Sequence, residues 1–451
     1  MDISTLRLGH VATFAAAPLL GLLTYWLTLP QGAGIAGALA VTVFAAVLWI
    51  TEALPLPVTA LLVPVGLAAM GVFEAKDAFT SFGSPVLFLV LGGYALAVAV
   101  EANNVDQWLA RHILGLAGTK TIGLLAAFMA TSAVLSMLIS NTATTALLIP
   151  VAAGVLAHQK TDHNLSRLLM LGVAYGASIG GVATITGSAP NAIAAGLLDI
   201  SFVQWMAYGL PISLTMLVVA LFILLWAFPP KEKQICAVQQ DEIVLTASAK
   251  RTLWVAGLIL VLWLTGPALA RMSGLPAAFL GSASVAIIAV ALLVATGCTT
   301  WKALEKGVHW GVLLLLGGGL SLGRGLTDSG AADWLAQLLT AHVEDWAFLA
   351  LKLMLVAIAV FATELISNTA VTAKLAPILM GVALHLGLEA ESLVLPVAIA
   401  TSMAFMLPVA TPPNALVHAS GYVTQRDMMR VGLRLNLAAI AVITVLFHFV
   451  L

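Results

Sequence analysis

Charge is what this sequence has least of. Asp, Glu, Lys and Arg together make up 9% of its 451 residues, where a soluble domain carries about 25%. So few charges cannot clothe a large globular enzyme, and a net charge of −1 excludes nucleic acid as a natural partner. Cysteine is nearly absent: only Cys236 and Cys298 occur, both in or beside loops assigned to the cytosol. That excludes a disulfide framework and leaves free thiols. The nine histidines include no pair at metal-ligand spacing, and His158 and His163 share one polar loop expected to face solvent. There is no P-loop, no serine elbow and no nucleophile–base constellation, so the chain does not read as an enzyme. The opening MDISTLRLGH lacks the compact basic segment of a cleavable signal peptide. The apolar run behind it is long enough to span, so a retained first helix is expected.

Hydrophobic residues are what the chain does have: 61% of the total, with mean hydropathy +1.07. Apolar runs of about 18–22 residues suit helices crossing a hydrocarbon core about 30 Å thick. They occur near 10–30, 33–50, 57–73, 84–101, 165–198, 208–229, 251–270, 277–297, 309–326, 391–422 and 431–451. The fold class expected is an all-α polytopic membrane protein with eleven transmembrane helices. Two further stretches, 121–157 and 346–386, are too long for one span and are expected to form re-entrant hairpins.

Each hairpin carries Ser-Asn-Thr at its midpoint. Residues 140–154 (SNTATTALLIPVAAG) and 367–381 (SNTAVTAKLAPILMG) agree at nine of fifteen positions at an offset of 227. Each is followed by a second matched break, GSAPNA at 187–192 and ATPPNA at 410–415. Breaks are therefore expected at 186–190 and 409–413. In lipid, irregular backbone is tolerated only inside protein or along a cavity, and interrupted segments in corresponding positions of two halves point to a transporter's binding site.

With the amino terminus in the cytosol, fourteen of the nineteen Lys and Arg fall on the inside, as the positive-inside rule requires. Lys76, Arg271 and Arg324 fall outside, and Lys352 and Lys374 lie within the second hairpin. The carboxyl terminus is then outside, and the two hairpins enter from opposite faces as an inverted repeat. Residues 1–32 form an extra first helix, 33–230 repeat one, 231–250 a cytosolic linker and 251–451 repeat two. Gly92-Gly93 and Trp108-Leu109-Ala110 recur at Gly318-Gly319 and Trp334-Leu335-Ala336, a weaker echo of the same duplication.

Ser and Asn at each tip are good helix caps. The helix after each tip begins with a buried amino end, where unpaired N–H groups and the dipole attract anions. Hydroxyls and amides of Asn141, Thr142, Ser188, Asn368, Thr369 and Thr411 are expected to converge. Carbonyls freed at Gly187 and Ala410, with oxygens of Ser136, Ser140, Thr363 and Asn368, are hard ligands suited to sodium. Each amino terminus is worth roughly half a positive charge, so four of them offset about two negative charges. None of the four motifs contains Lys or Arg, and a dianion there is compensated only with bound cations. That favours cation-coupled anion transport.

The pair SNTATTALLIP and SNTAVTAKLAP, the VATPPNA of repeat two and WITEALPLPVTALLVP at 49–64 resemble the divalent-anion/sodium symporter family over essentially the whole chain. The resemblance implies a homodimer with scaffold and transport domains working as an elevator, and sodium-driven uptake of C4-dicarboxylates or related di- and tricarboxylates. By position it assigns Ser136, Ser140, Asn141 and Gly187 to one sodium site and Thr363, Asn368 and Ala410 to a second. Asn141, Thr142, Ser188, Asn368, Thr369, Thr411 and Pro412 become substrate contacts. No cofactor is implied beyond sodium as coupling ion.

Lys374 stands where repeat one has Leu147. An intramembrane lysine is costly and pairs; Glu364, on the opposite arm, is its expected partner. The alternative is a fixed cation that alters sodium coupling or favours exchange. Glu52 is read as a capping or packing residue, and Glu101, Asp106 and Arg111 as a solvated connector. Gly92-Gly93 and Gly317-Gly318-Gly319 are read as close-packing positions, and Trp26, Trp205, Trp310 and Trp346 as an aromatic belt. The function expected is sodium-coupled uptake of succinate, fumarate or malate across the inner membrane. The alternative is an exchanger of di- or tricarboxylates on the same fold, ahead of a passive anion channel.

Overall fold

The computed structural model describes residues 3–51, 53–115, 118, 120–157, 163–231, 245–340 and 348–450. Glu52, His158, Lys160, Lys233, Cys236, Trp346 and most of the linker, 232–244, lie outside the described residues. All regular elements within them are helical. α1 (Ile3–Thr28), α2 (Ala33–Thr51), α3 (Leu56–Ala69), the short α4 (Ala75–Ala78) and α5 (Pro85–Ala102) come first. A connector, α6 (Val105–Gly115), leads to α7 (Thr121–Ser136) and α8 (Asn141–Ala157), which flank the first Ser-Asn-Thr. α9 (His163–Gly181) and α10 (Ala189–Leu197) are the two pieces of the first broken helix, and α11 (Phe202–Ala227) follows.

The second half begins with α12 (Ala247–Met272), α13 (Ser282–Ala295), α14 (Trp301–Gly307), α15 (Trp310–Asp328) and α16 (Ala331–Thr340). α17 (Phe348–Ala362) and α18 (Asn368–His385) flank the second Ser-Asn-Thr. α19 (Glu391–Ala400) and α20 (Pro412–Ala419) are the second broken helix, and α21 (Gln425–Phe449) closes the chain. Among the described residues, five helices are long and apolar enough to cross a membrane by themselves: α2, α5, α11, α12 and α21. Shorter apolar helices include α7, α8, α17 and α19, which flank the tips and the second break.

The apolar runs condense into two cores. A smaller one joins α2, α3, α15 and α16 through residues such as Trp49, Leu67, Leu315 and Ala331. A larger one runs from α5 through α7–α11 to α17–α21. Small residues set its density: a β-carbon on Gly180 would lie 2.2 Å from the Ala133 Cα, so α7 and α9 touch backbone to backbone. Gly92 abuts Ala286, Gly93 abuts Thr186 and Gly318 abuts Ala60, the close packing expected of these positions.

Three local expectations are corrected. Trp205 is not in an aromatic belt; it is fully buried, its indole N–H donating to the Val182 carbonyl at 2.9 Å. Trp26 and Trp310 are exposed. Asp106 is buried rather than solvated, and burial pushes its carboxyl above the usual range, opposed by backbone N–H groups of residues 107 and 106. The breaks are also longer than expected. The first runs from Val182 to Ser188 and the second from Thr401 to Thr411, because side chains described below satisfy the freed carbonyls.

Candidate ion and anion site

At the first tip, the buried Ser136 hydroxyl at the end of α7 donates to the Asn141 side-chain oxygen at the start of α8. Ser140 caps α8, its Oγ accepting from the Ala143 N–H at 3.1 Å. The first break closes over this turn. A β-carbon on Gly181 would stand 2.5 Å from Asn141 Oδ1, and one on Gly187 would stand 2.9 Å from the Ser136 carbonyl oxygen. Only glycine lets the loop come so near. Ser136, Asn141 and Gly187 are thus brought together, with Ser140 on the same turn. Thr184 ties loop to tip by donating to the Met137 carbonyl at 2.9 Å and accepting from the Gly187 N–H at 3.1 Å.

At the second tip, Thr363 is buried and donates to the Val360 carbonyl at 2.9 Å. Ser367 holds the cap position of α18 without a side-chain cap bond. Asn368 begins α18 with its side-chain oxygen buried and without a hydrogen-bonding partner among the described residues. Ala410 closes the second break, its N–H bound to the Leu407 carbonyl at 3.2 Å.

Glu364, the partner expected for Lys374, has its carboxylate bound by backbone and amide donors. It takes the N–H groups of Phe405, Met406 and Leu407 at 2.8, 2.9 and 2.9 Å and the Asn436 amide at 2.8 Å.

The substrate candidates lie on both sides of a shared seam. Ser188 and Ser402, one from each break, share a hydrogen bond of 3.3 Å. α8 packs against α20 and α18 against α10, so each second hairpin arm meets the far half-helix of the other break. Thr411 is extended and caps α20, accepting from the Asn414 N–H at 3.3 Å. Asn141, Ser188, Asn368 and Thr369 are half-buried, while Thr142 and Pro412 are exposed. Four helix amino ends, those of α8, α10, α18 and α20, carry these groups, an arrangement suited to carboxylates.

Two site residues went unassigned from sequence. Asn191 donates to the Gly181 carbonyl at 2.9 Å and the Thr184 carbonyl at 2.7 Å. Asn414 donates to the Ala404 and Leu407 carbonyls, both at 3.1 Å. Both are fully buried. The repeated Pro-Asn-Ala was the available signal.

Comparison with known proteins identifies transporters similar to this chain. The family model described as "Citrate transporter" matches residues 46–395. An uncharacterized transporter of Haemophilus influenzae is 40% identical over 90% of this chain and 89% of its own length. A sodium-dependent dicarboxylate transporter, SdcS, of Staphylococcus saprophyticus is 31% identical over 98% of this chain and 92% of its own. In fold, the chain is similar to the YdaH transporter of Alcanivorax borkumensis, with TM-score 0.58 and 17% identity over 83% of this chain and 87% of that one.

Proposed function

The chain belongs to the citrate transporter family of secondary membrane transporters, and from that premise we propose that it takes up C4-dicarboxylates such as succinate, fumarate and malate by sodium-coupled symport. The observation that carries this reading is the seam at Ser188 and Ser402. Around it α8 packs against α20 and α10 against α18, four helices whose amino ends carry the motifs, with no Lys or Arg in either tip or either break. Their dipoles offset about two negative charges at most, so a dianion moves with cations or not at all.

Ser136, Ser140, Asn141 and Gly187 hold one sodium ion, and Thr363, Asn368 and Ala410 a second. At the first site the Ser136 hydroxyl turns away from Asn141, freeing both oxygens for the cation. Asn141, Thr142, Ser188, Asn368, Thr369, Thr411 and Pro412 hold the substrate. The eleven spans and two hairpins form an inverted repeat, amino terminus in the cytosol and carboxyl terminus outside, and the protein works as a dimeric elevator.

Lys374 on α18, a cationic group where repeat one has Leu147, favours a second reading: exchange of di- or tricarboxylate anions on the same fold. Radiolabelled succinate uptake into proteoliposomes separates the two. Accumulation driven by an inward sodium gradient is the expected result. Uptake that needs internal dicarboxylate and ignores sodium would establish exchange instead.

A further inference from the structure

Hairpin position 364 has its counterpart in repeat one at 137, by the offset of 227. Each ties its tip to the following break, but by different chemistry. Met137 offers only a backbone carbonyl to the Thr184 hydroxyl. Glu364 offers a carboxylate, 4% exposed, to three successive backbone N–H groups and the amide of Asn436. Three successive amides aimed at one anion form a nest, and bonds to a charged acceptor are roughly twice as strong as neutral ones.

The consequence passes along the chain. Leu407, held through its N–H by Glu364, receives the Ala410 N–H and the Asn414 amide on its carbonyl. Phe405, held the same way, receives the buried Tyr175 hydroxyl at 3.0 Å. Thr363 is the neighbour of Glu364 in sequence. Glu364 therefore sets, in one frame, the tip that carries Thr363 and Asn368 and the loop that ends in Ala410. We infer that Glu364 is a positioning residue for the second cation site, whose buried carboxylate locks the 405–407 loop to the hairpin tip and adds a fixed negative charge that repeat one lacks. This rests on the sodium-coupled reading above.

The test is the sodium dependence of succinate uptake in proteoliposomes of wild type, E364Q, E364D and the double variant E364Q/N436D. E364Q is expected to raise the half-saturating sodium concentration about tenfold, the factor lost with one hydrogen bond to a charged group. The succinate KM at saturating sodium should stay within about threefold of wild type, under half a decade of binding free energy. Asp at 436 returns a carboxylate to the nest and should restore the sodium response. E364Q with wild-type sodium half-saturation, or the two constants rising together, would overturn the inference alone. So would a double variant no better than E364Q. If E364Q fails to reach the membrane, E364D, charged but shorter, carries the comparison: raised sodium half-saturation supports the inference and an unchanged value overturns it. A wild-type chain indifferent to sodium overturns the functional reading and this inference with it.

Discussion

Asp106 shows how a single side chain can depart from its sequence context. Flanked by Asn104 and Gln107 it reads as solvated, yet α6 lays it against the interior, where it is 7% exposed. Burial raises its carboxyl above the ordinary value. A group whose folded value is raised binds its proton more tightly folded than unfolded. Its contribution is therefore present at low pH and is lost as pH climbs from the ordinary carboxylate value through the raised one. Asp106→Asn keeps the shape and removes the charge. Thermal unfolding in detergent from about pH 4 to 8 should show the variant equal to wild type at the acid end and more stable at the neutral end.

At the scale of the element, each broken helix is a repair as much as a break. Ending α9 at Gly181 and α19 at Ala400 strips carbonyls of their helical donors, and a buried orphan costs about 1–3 kcal/mol. Asn191 and Asn414, placed on the far half-helix, reach back to the carbonyls of Gly181, Val182 and Thr184 and of Ala404 and Leu407. Asn191→Ala or Asn414→Ala should each lower stability by about 2–3 kcal/mol and lower the purified yield. Asn191→Gln, one methylene longer, should not rescue. Differential scanning fluorimetry checks both. A variant as stable as wild type would mean that water replaces the amide.

Across the whole molecule, an ion pair and a phenol–carboxylate bond are among the polar contacts that join the halves of the chain. Arg167 at the start of α9 meets Asp427 at the start of α21 at 3.1 Å, and the Tyr208 hydroxyl on α11 donates to Glu391 at the start of α19 at 3.1 Å. Each broken helix is thus anchored at its first turn to the last helix of the other half. The Arg167 pair is partly exposed, with side chains 31% and 16% accessible, so its Coulombic worth is about 0.5 kcal/mol. Asp427 also completes a capping box with Thr424. Asp427→Ala should therefore cost about 1 kcal/mol more than Arg167→Ala, measured as the difference in thermal midpoint.

Hydropathy, duplication and turn chemistry are local properties of the chain. They were enough to predict an all-helical chain interrupted near each Ser-Asn-Thr and each Pro-Asn-Ala, and to single out Ser136, Asn141 and Gly187, whose meeting follows from a short turn and a nearby loop. Contacts between distant segments were not legible in this way. A charge on one arm of a hairpin suggests a partner on the other arm, and Glu364 and Lys374 were paired on that ground. What that reasoning misses is that the folded chain presents Glu364 with amides forty-one to forty-three positions away, a nest that exists only once the second break has bent across the tip. Burial of Asp106 and Trp205, the cross-repeat bond of Ser188 to Ser402, and the reach of Asn191 and Asn414 were settled in the same manner. Desolvation forces every exposed amide and carbonyl to find a partner, and which partner is near depends on packing in three dimensions.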